Sequence, residues 1–474
     1  MNIHWFRQDL RLADNPALTQ AAGQGAVLPI YILDEAAASD HAMGAASRWW
    51  LHHSLAALRA SLGGTLSIYQ GAPMDIFADL LSRLNVRAVF WNRCYEPWRV
   101  AGDAKLKQFL KARGCAASSS NGALLWEPWA VTKADGSPWK VFTPFYHKGC
   151  LQADAPRAPL PPPRASWRDD PQGAPGLDAL GLLPAASWDR KLAPHWQIGE
   201  AGAHARWQAF ADEGLAHYAE GRDLPARPYV SRLSPHLHFG EVSPHQLWHS
   251  ARRIGEAAPQ HRPHVEKFCA ELGWREFSHS LLYHHPDLPT KNLQARFDRF
   301  PWKEDMAALR AWQTGQTGIP MVDAGMRELW QTGYMHNRVR MIVGSFLVKN
   351  LLLHWRHGER WFWDTLVDAD LANNSASWQW IAGCGADAAP YFRIFNPVAQ
   401  GQRFDPEGIY VRRFVPELAA LPDRYVFNPW DAPPQILADA GVQLGATYPH
   451  PIADLKRSRQ QALAAFQTLK GSHP

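Results

Sequence analysis

The feature that most narrows the fold is an alternation in the first third of the chain. Short apolar runs at Ile3–Phe6, Ala26–Leu33, Thr65–Tyr69 and Ala88–Trp91 have strand length, and the segments Ser47–Arg59 and Asp75–Leu84 between them repeat their apolar residues at helical spacing. Gly63-Gly64 stops the first of these helices. Parallel strands need long crossovers, so strand and helix in alternation imply βαβ units and a doubly wound sheet. No G-x-G-x-x-G or G-x-x-x-x-G-K-[ST] opens any of these helices, which makes the sheet a poor conventional dinucleotide or triphosphate site.

The chain has 474 residues, more than one hydrophobic core usually serves. From Trp126 to Trp196 its character changes: Pro138, Pro144, Pro156, Pro159 and Leu160-Pro-Pro-Pro163 lie among small and polar residues, as in an extended, solvated connector. Beyond Gly199 the pattern is nearly all helical, with long segments over Gly202–Ala219, His264–His284 and Gly333–Arg356. The expected architecture is an α/β doubly wound parallel sheet over 1–130, a linker over 131–198, and an all-α domain over 199–474.

Several function classes drop out. The five cysteines, Cys94, Cys115, Cys150, Cys269 and Cys384, are scattered and odd in number, as expected of reduced thiols in the cytoplasm rather than a disulfide frame. The charged segment after Phe6 excludes a signal peptide, and no apolar run has membrane-spanning length. The 22 histidines show no metal-ligand spacing, so no metal is expected. A net charge of +5 permits a polyanionic partner. The 23 tryptophans are unusual, and suit stacking surfaces or electron relays as well as core.

The densest chemistry lies in Asp368-Ala-Asp-Leu-Ala-Asn-Asn-Ser-Ala-Ser-Trp-Gln-Trp380, where carboxylates, amides and indoles crowd together as around a bound planar heteroaromatic. If Ser375–Ile381 is helical, Trp378 and Trp380 lie roughly 200° apart and serve different surfaces. Ser234-Pro235 and Ser243-Pro244-His-Gln246 read as helix N-termini, where free amides favour phosphate. Glu271, Trp274 and Arg275 share one helix face, a recognition surface or a surface ion pair beside a packed indole. Asn337, Arg338 and Met341 fall within one turn; burying that many donors without partners would cost on the order of 1–3 kcal/mol each, which favours a ligand. Periodicity alone leaves Trp302 and Trp355 as core.

These motifs, taken in order, resemble the DNA photolyase/cryptochrome flavoprotein family, nearest to the class I cyclobutane pyrimidine dimer photolyases. The resemblance runs nearly end to end, from His4-Trp-Phe-Arg-Gln-Asp-Leu-Arg-Leu-Ala-Asp-Asn-Pro16 through Gly221-Arg-Asp223, Ser231-Arg-Leu-Ser234, Trp274-Arg-Glu-Phe277 and Met335-His-Asn-Arg-Val-Arg-Met341 to Ala386-Asp-Ala-Ala-Pro-Tyr-Phe-Arg-Ile-Phe-Asn-Pro397. It implies an antenna domain followed by a helical domain holding FAD. Position by position, it assigns Tyr218, Arg222, Val230, Ser231, Arg232, Leu233, Ser234, Phe268, Arg275, Asn337, Arg340, Asp368 and Asp370 to the flavin, with Asn374 beside its N5. Trp378, Trp355 and Trp302 become the chain that photoreduces FAD, listed outward from the flavin.

The implied partner is UV-damaged DNA with its pyrimidine dimer flipped out. Trp274 and Trp380 would stack on the lesion, Glu271, Asn337 and Arg338 bond its base edges, Met341 cover its apolar carbons, and Arg393 and Gln400 meet the strand. A stacked base contributes roughly 1–3 kcal/mol, and a damaged pair is cheap to flip. The (6-4) photolyases carry histidines where Asn337 and Met341 stand. Plant-type cryptochromes usually have an acid at Asn374 and a long tail. Both differences favour repair of cyclobutane dimers over a (6-4) photolyase or a blue-light receptor; a monomer in the cytoplasm is expected. The chain departs from the family pattern at Val230, where a hydroxyl is common, and at Tyr334, where Trp is frequent. Around Tyr95-Glu-Pro-Trp98-Arg99 and Pro289-Thr290 the folate-binding residues do not match, so a second, antenna chromophore is left as a deazaflavin, another flavin or none.

Overall fold

A computed structural model describes residues 1–388 and 392–469; Ala389, Pro390 and Tyr391 of the Ala386–Pro397 motif lie outside the described residues. Backbone contacts divide the chain differently from the expected 1–130, 131–198 and 199–474. One compact unit gathers Met1–Tyr218, Ser231–Pro286 and Val367–Ala372; the other gathers Ala219–Val230, Asp287–Leu366 and the chain from Asn373 onward.

The first unit is built on five parallel strands: β1 (Asn2–Phe6), β2 (Val27–Leu33), β3 (Ser67–Gln70), β4 (Ala88–Asn92) and β5 (Ala116–Ser120), in the order β3-β2-β1-β4-β5. Ile3 aligns with Leu28 on one side and Val89 on the other. Every residue of β1, β2 and β4 is buried, the pattern of a parallel sheet covered on both faces. Helices α1 (Pro16–Gly23), α2 (Ala45–Ser61), α3 (Pro73–Arg83) and α4 (Pro97–Ala112) lie between the strands. Asn15 caps α1 by accepting from the Leu18 amide at 3.0 Å, and Pro73 and Pro97 open α3 and α4 at the first turn, where no amide is missed.

Strand order reverses between β1 and β4, the place where sheets of this type hold ligands. Here side chains fill it. The Arg7 guanidinium donates to Asp103 at 2.8 and 3.0 Å and to the Asn92 carbonyl at 2.5 Å, and Trp91 Nε1 donates to Asp103 at 2.8 Å. Burial would raise the Asp9 carboxyl, yet bonds from His4, the Arg7 amide and Asn92 outweigh it and hold the acid below its usual range.

The stretch expected as an extended, solvated connector instead holds helical turns, at Phe142–Pro144, Phe145–Gly149 and Ser187–Lys191 among others, and is packed in its side chains. Phe142, Phe145, Tyr146, Cys150, Leu180, Leu182, Leu192 and Trp196 are buried. Val27 bonds the Ser166 carbonyl and the Arg168 amide, and Asp170 accepts from Arg83 at 2.8 and 2.9 Å and from Tyr69 at 2.7 Å. Aromatic residues between the prolines pin the segment to the sheet's unit. Further helices of this unit include α5 (Pro244–Ala257) and α6 (Arg262–His284).

The second unit is helical among its described residues. The expected helix over Gly333–Arg356 is broken into α7 (Asn337–Ser345) and α8 (Trp355–Thr365) by a wide turn over Phe346–Asn350 and by Leu352, which takes φ 58°. His336 and His354 cap the two helices, their ring nitrogens accepting from Arg338 and Arg356 amides at 3.2 Å. Helix α9 (Leu371–Ala382) carries the indole-rich stretch. No helix among the described residues is long and apolar enough to cross a membrane.

Candidate functional site

In the sheet's unit, α6 presents Glu271, Trp274 and Arg275 as the spacing predicts. Trp274 stacks on Phe142 with centroids 3.8 Å apart and planes 9° off parallel, so its ring is fixed. Glu271 lies 3.4 Å from Lys267 Nζ, one turn back. Arg275 donates to the Ala123 carbonyl at 2.7 Å and to Glu276 at 3.3 Å. Burial pushes the Glu276 carboxyl up to about 7, against the pull of Arg275. Phe268 and Tyr218 meet edge to face at 5.7 Å, and both are buried.

A small cleft opens beside α6, lined by Arg275, His279, His238, Asp370, Glu96 and Tyr95 among others. Asp370 Oδ2 lies 3.6 Å from His238 Nδ1 and 3.6 Å from His279 Nε2. Burial alone would raise the Asp370 carboxyl; His279, His238 and Arg275 reverse the shift and keep it an anion. Sequence reasoning missed His238 and His279, which carry no motif signal of their own.

The two expected phosphate sites fare differently from the expectation. Ser243 caps α5 in a full capping box with Gln246, and its buried hydroxyl also donates to Asp14, so the hydroxyl and the Ser243 and Gln246 amides are already engaged. Ser234 does not cap its helix. Its hydroxyl donates to Asp368 Oδ2 at 2.5 Å, and Leu233 holds the cap position. The Ser231–Ser234 turn instead gets its shape from Arg232, whose φ of 53° is left-handed and whose guanidinium lies 4.5 Å above the Trp196 ring.

In the helical unit the tryptophans are brought together in a particular way. Trp378 is buried and packs against Phe362 at 5.0 Å and Trp312 at 6.2 Å, whereas Trp380 on the same helix is half-buried and donates to the Asp387 carbonyl at 3.2 Å. The two indoles face different surroundings, as their spacing requires. Trp378 rests on Gly358 of α8, three residues beyond Trp355. Trp355 is wholly buried, and the ring of His354 lies between it and Trp302, 5.6 Å from the first and 5.1 Å from the second. Burial first, then the neighbouring Arg356, His357 and Arg360, push His354 down to about 4, so this ring is neutral near pH 7.

Asn374 Nδ2 donates to the Glu359 carbonyl at 3.0 Å, and Ser375 donates to the Glu359 carboxyl at 2.6 Å. Burial pushes that carboxyl up to about 7. Gln379, fully buried, grips the chain at Leu288, Lys291 and Leu293 through bonds of 2.7, 2.8 and 2.9 Å. Neither Glu359 nor Gln379 was singled out from sequence.

The Met335–Met341 motif is a cationic cluster. Arg338 pairs with Asp223 at 2.6 Å and covers Phe404, and Arg340 donates to the Met335 carbonyl at 2.7 Å. Arg222, Arg338 and Arg340 all act on the buried His336, which burial pushes down to about 3 and whose Nε2 has no hydrogen-bond partner. Asn337 is exposed, Met341 and Gln400 are half-buried, and Arg393 is exposed. Val230 is half-buried near the end of the Ala219–Val230 segment. No group of three His, Cys, Asp or Glu among the described residues could hold a metal.

Within the sheet's unit, the hydroxyls of the Ser231–Ser234 turn and the buried Asp370 carboxylate are groups that suit a flavin dinucleotide; within the helical unit, so are the arginines around His336 and the Asn374 amide. Comparison with known proteins identifies the family. Residues 2–164 match the model described as DNA photolyase, and residues 268–468 match the FAD binding domain of DNA photolyase. A deoxyribodipyrimidine photo-lyase of Agrobacterium fabrum is 47% identical over 99% of this chain and 98% of its own length. Cryptochrome-2 of Arabidopsis thaliana is 37% identical over 97% of this chain and 77% of its own length. The crystal structure of a bacterial class III photolyase from Agrobacterium tumefaciens superposes with a TM-score of 0.93 at 46% identity, covering 99% of this chain and 98% of that one.

Proposed function

This chain belongs to the DNA photolyase family, and on that premise we propose that it is a class III photolyase rather than the class I enzyme its motifs first suggest. It is a light-driven DNA repair flavoenzyme, a deoxyribodipyrimidine photo-lyase that splits cyclobutane pyrimidine dimers. Its cofactor is FAD. Bound in reduced form, FAD supplies the photoexcited electron that opens the dimer and is then returned, with no net redox change.

The chain's own residues do the rest. Tyr218, Arg222, Ser231, Ser234, Phe268, Arg275, Arg340, Asp368 and Asp370 hold and orient the cofactor, and Asn374 faces its reactive nitrogen. Trp274 and Trp380 stack on the flipped-out lesion, Glu271, Asn337 and Arg338 bond its base edges, and Met341 covers it. Arg393 and Gln400 meet the strand, a contact that weakens with salt. Trp378, Trp355 and Trp302 carry electrons inward. The protein works as a monomer in the cytoplasm.

The observation that carries this reading is the line of rings in the helical unit. Buried Trp355 and half-buried Trp302 flank a neutral His354, and Trp378 packs against the helix that Trp355 begins. Packing alone does not require that order. The test is to illuminate purified, reduced protein with a dimer-containing oligonucleotide. Dimers restored to monomers only under blue light support the reading, and dimers unchanged after illumination overturn it.

A further inference from the structure

The indole of Trp355 is fully buried, and its Nε1–H donates to Asn292 Oδ1 at 3.0 Å. Asn292 in turn donates from Nδ2 to Asp298 Oδ1 at 2.6 Å. Only one orientation of the amide serves both bonds, since an indole N–H can only donate and the carboxylate can only accept. The amide is therefore held with its oxygen on the indole and its nitrogen on an anion. Each bond polarises the next, so the negative charge of Asp298 is felt at Trp355.

We propose that Asn292, backed by Asp298, is a positioning residue for electron transfer through Trp355: it stabilises the one-electron-oxidised indole and keeps it protonated. This rests on the relay reading above. In the step concerned, one electron leaves Trp355 for the oxidised Trp378, and Trp355 is left with a positive charge and its Nε1 proton. The hole is then filled by Trp302, which is itself refilled by a thiol reductant in solution. An amide oxygen is too weak a base to take the indole proton. The hole therefore stays mobile and is not trapped as a neutral radical.

The electrostatics around Trp355 show why such a device is needed. The Arg356 guanidinium lies 5.6 Å from its ring centre, and Arg356, His357 and Arg360 all act on the adjoining His354. The guanidiniums of Arg356 and Arg360 oppose a positive hole. Asp298 acts on His354 in the opposite sense, and Lys291, beside Asn292, is already paired with Asp287 at 2.7 Å. Gln379 fixes the loop that carries Asn292, through its bonds to Leu288, Lys291 and Leu293. The amide's position is thus set by α9, the helix that also holds Trp378.

The experiment uses the flavin-loaded full chain and compares Asp298→Asn, the double variant Asn292→Asp with Asp298→Asn, and Trp355→Phe. Asp298→Asn keeps an acceptor for the Asn292 amide and removes only the charge. It is expected to lower the photoreduction rate roughly two- to fivefold, the range of a partly screened charge. Asn292→Asp made together with Asp298→Asn places the carboxylate on the indole, with an amide donor behind it, and so supplies a base; it is expected to convert the flash-induced radical from the protonated to the neutral tryptophan spectrum, with a larger loss of rate. In the dark, the indole proton resonance of Trp355 should shift in both variants. Flavin content and repair by chemically reduced enzyme should stay unchanged. A protonated-radical signal and rate equal to the parent in the double variant, while Trp355→Phe still blocks photoreduction, overturn the inference alone. Undiminished photoreduction in Trp355→Phe overturns the relay itself, and the inference with it.

Discussion

A Cβ atom added to Gly358 would lie 2.0 Å from Cη2 of Trp378. The bare helix surface at Gly358 is what makes room for the indole in the core, whereas a Cβ added to Gly344 would meet the same ring at an ordinary contact distance of 3.6 Å. Gly358→Ala should therefore displace Trp378 or strain α8, at a cost of about 1–3 kcal/mol. Thermal denaturation measures the cost. The same variant should photoreduce its flavin more slowly, which separates displacement of the indole from simple strain.

Trp302 is the half-buried end of the ring series and contacts Phe300 at 4.4 Å as well as His354 at 5.1 Å. Trp302→Phe preserves that packing and removes the oxidisable indole. Photoreduction should slow markedly, while chemically reduced enzyme repairs dimers as before. Parallel assays of flavin bleaching and dimer loss report the two, and equal impairment of both would remove Trp302 from the relay.

The sheet was legible because strand and helix residues obey their own periods, and four of its strands fall close to the expected runs. β5 was not. Ala116-Ala-Ser-Ser-Ser120 has neither branched nor aromatic residues, and it forms an edge held by Ala88–Asn92 rather than by its own propensity. The indole-rich helix was legible as chemistry, yet the break at Leu352 was hidden because histidine is an unusual cap and a leucine with positive φ has no sequence signature. His238, His279, Glu359 and Gln379 escaped notice for a related reason. Each matters through partners far away in sequence, which no local pattern encodes.

The proline-rich stretch carries its own prediction. Asp170 has a fully buried side chain and accepts two bonds from Arg83 and one from Tyr69. Asp170→Ala leaves Arg83 with Asp79 as its remaining carboxylate and the Tyr69 phenol without its acceptor, and should destabilise the sheet's unit by about 1–3 kcal/mol. Protease cleavage within 153–176 should speed up in the variant. A cleavage rate equal to the parent's would mean that the buried aromatics alone hold the segment.

Glu359 makes the stability of the helical unit depend on pH, with a definite sign. Its carboxyl is raised from 4.5 to about 7, so the folded state holds a proton that the unfolded chain releases. The stabilisation is complete below pH 4.5 and is lost as pH climbs through about 7, a change of about 3 kcal/mol across the window at 1.36 kcal/mol per pH unit. Glu276, in the sheet's unit, is raised to the same region by its own burial and gives that unit a fall in the same direction. Glu359→Gln keeps an acceptor for the Ser375 hydroxyl and can never charge. Denaturant titrations should find variant and parent alike near pH 5 and the variant more stable at pH 8. If the difference were instead greatest in acid, the buried carboxyl would be an anion in the folded protein, and the bond from Ser375 would have to be read as part of an ion-stabilising site.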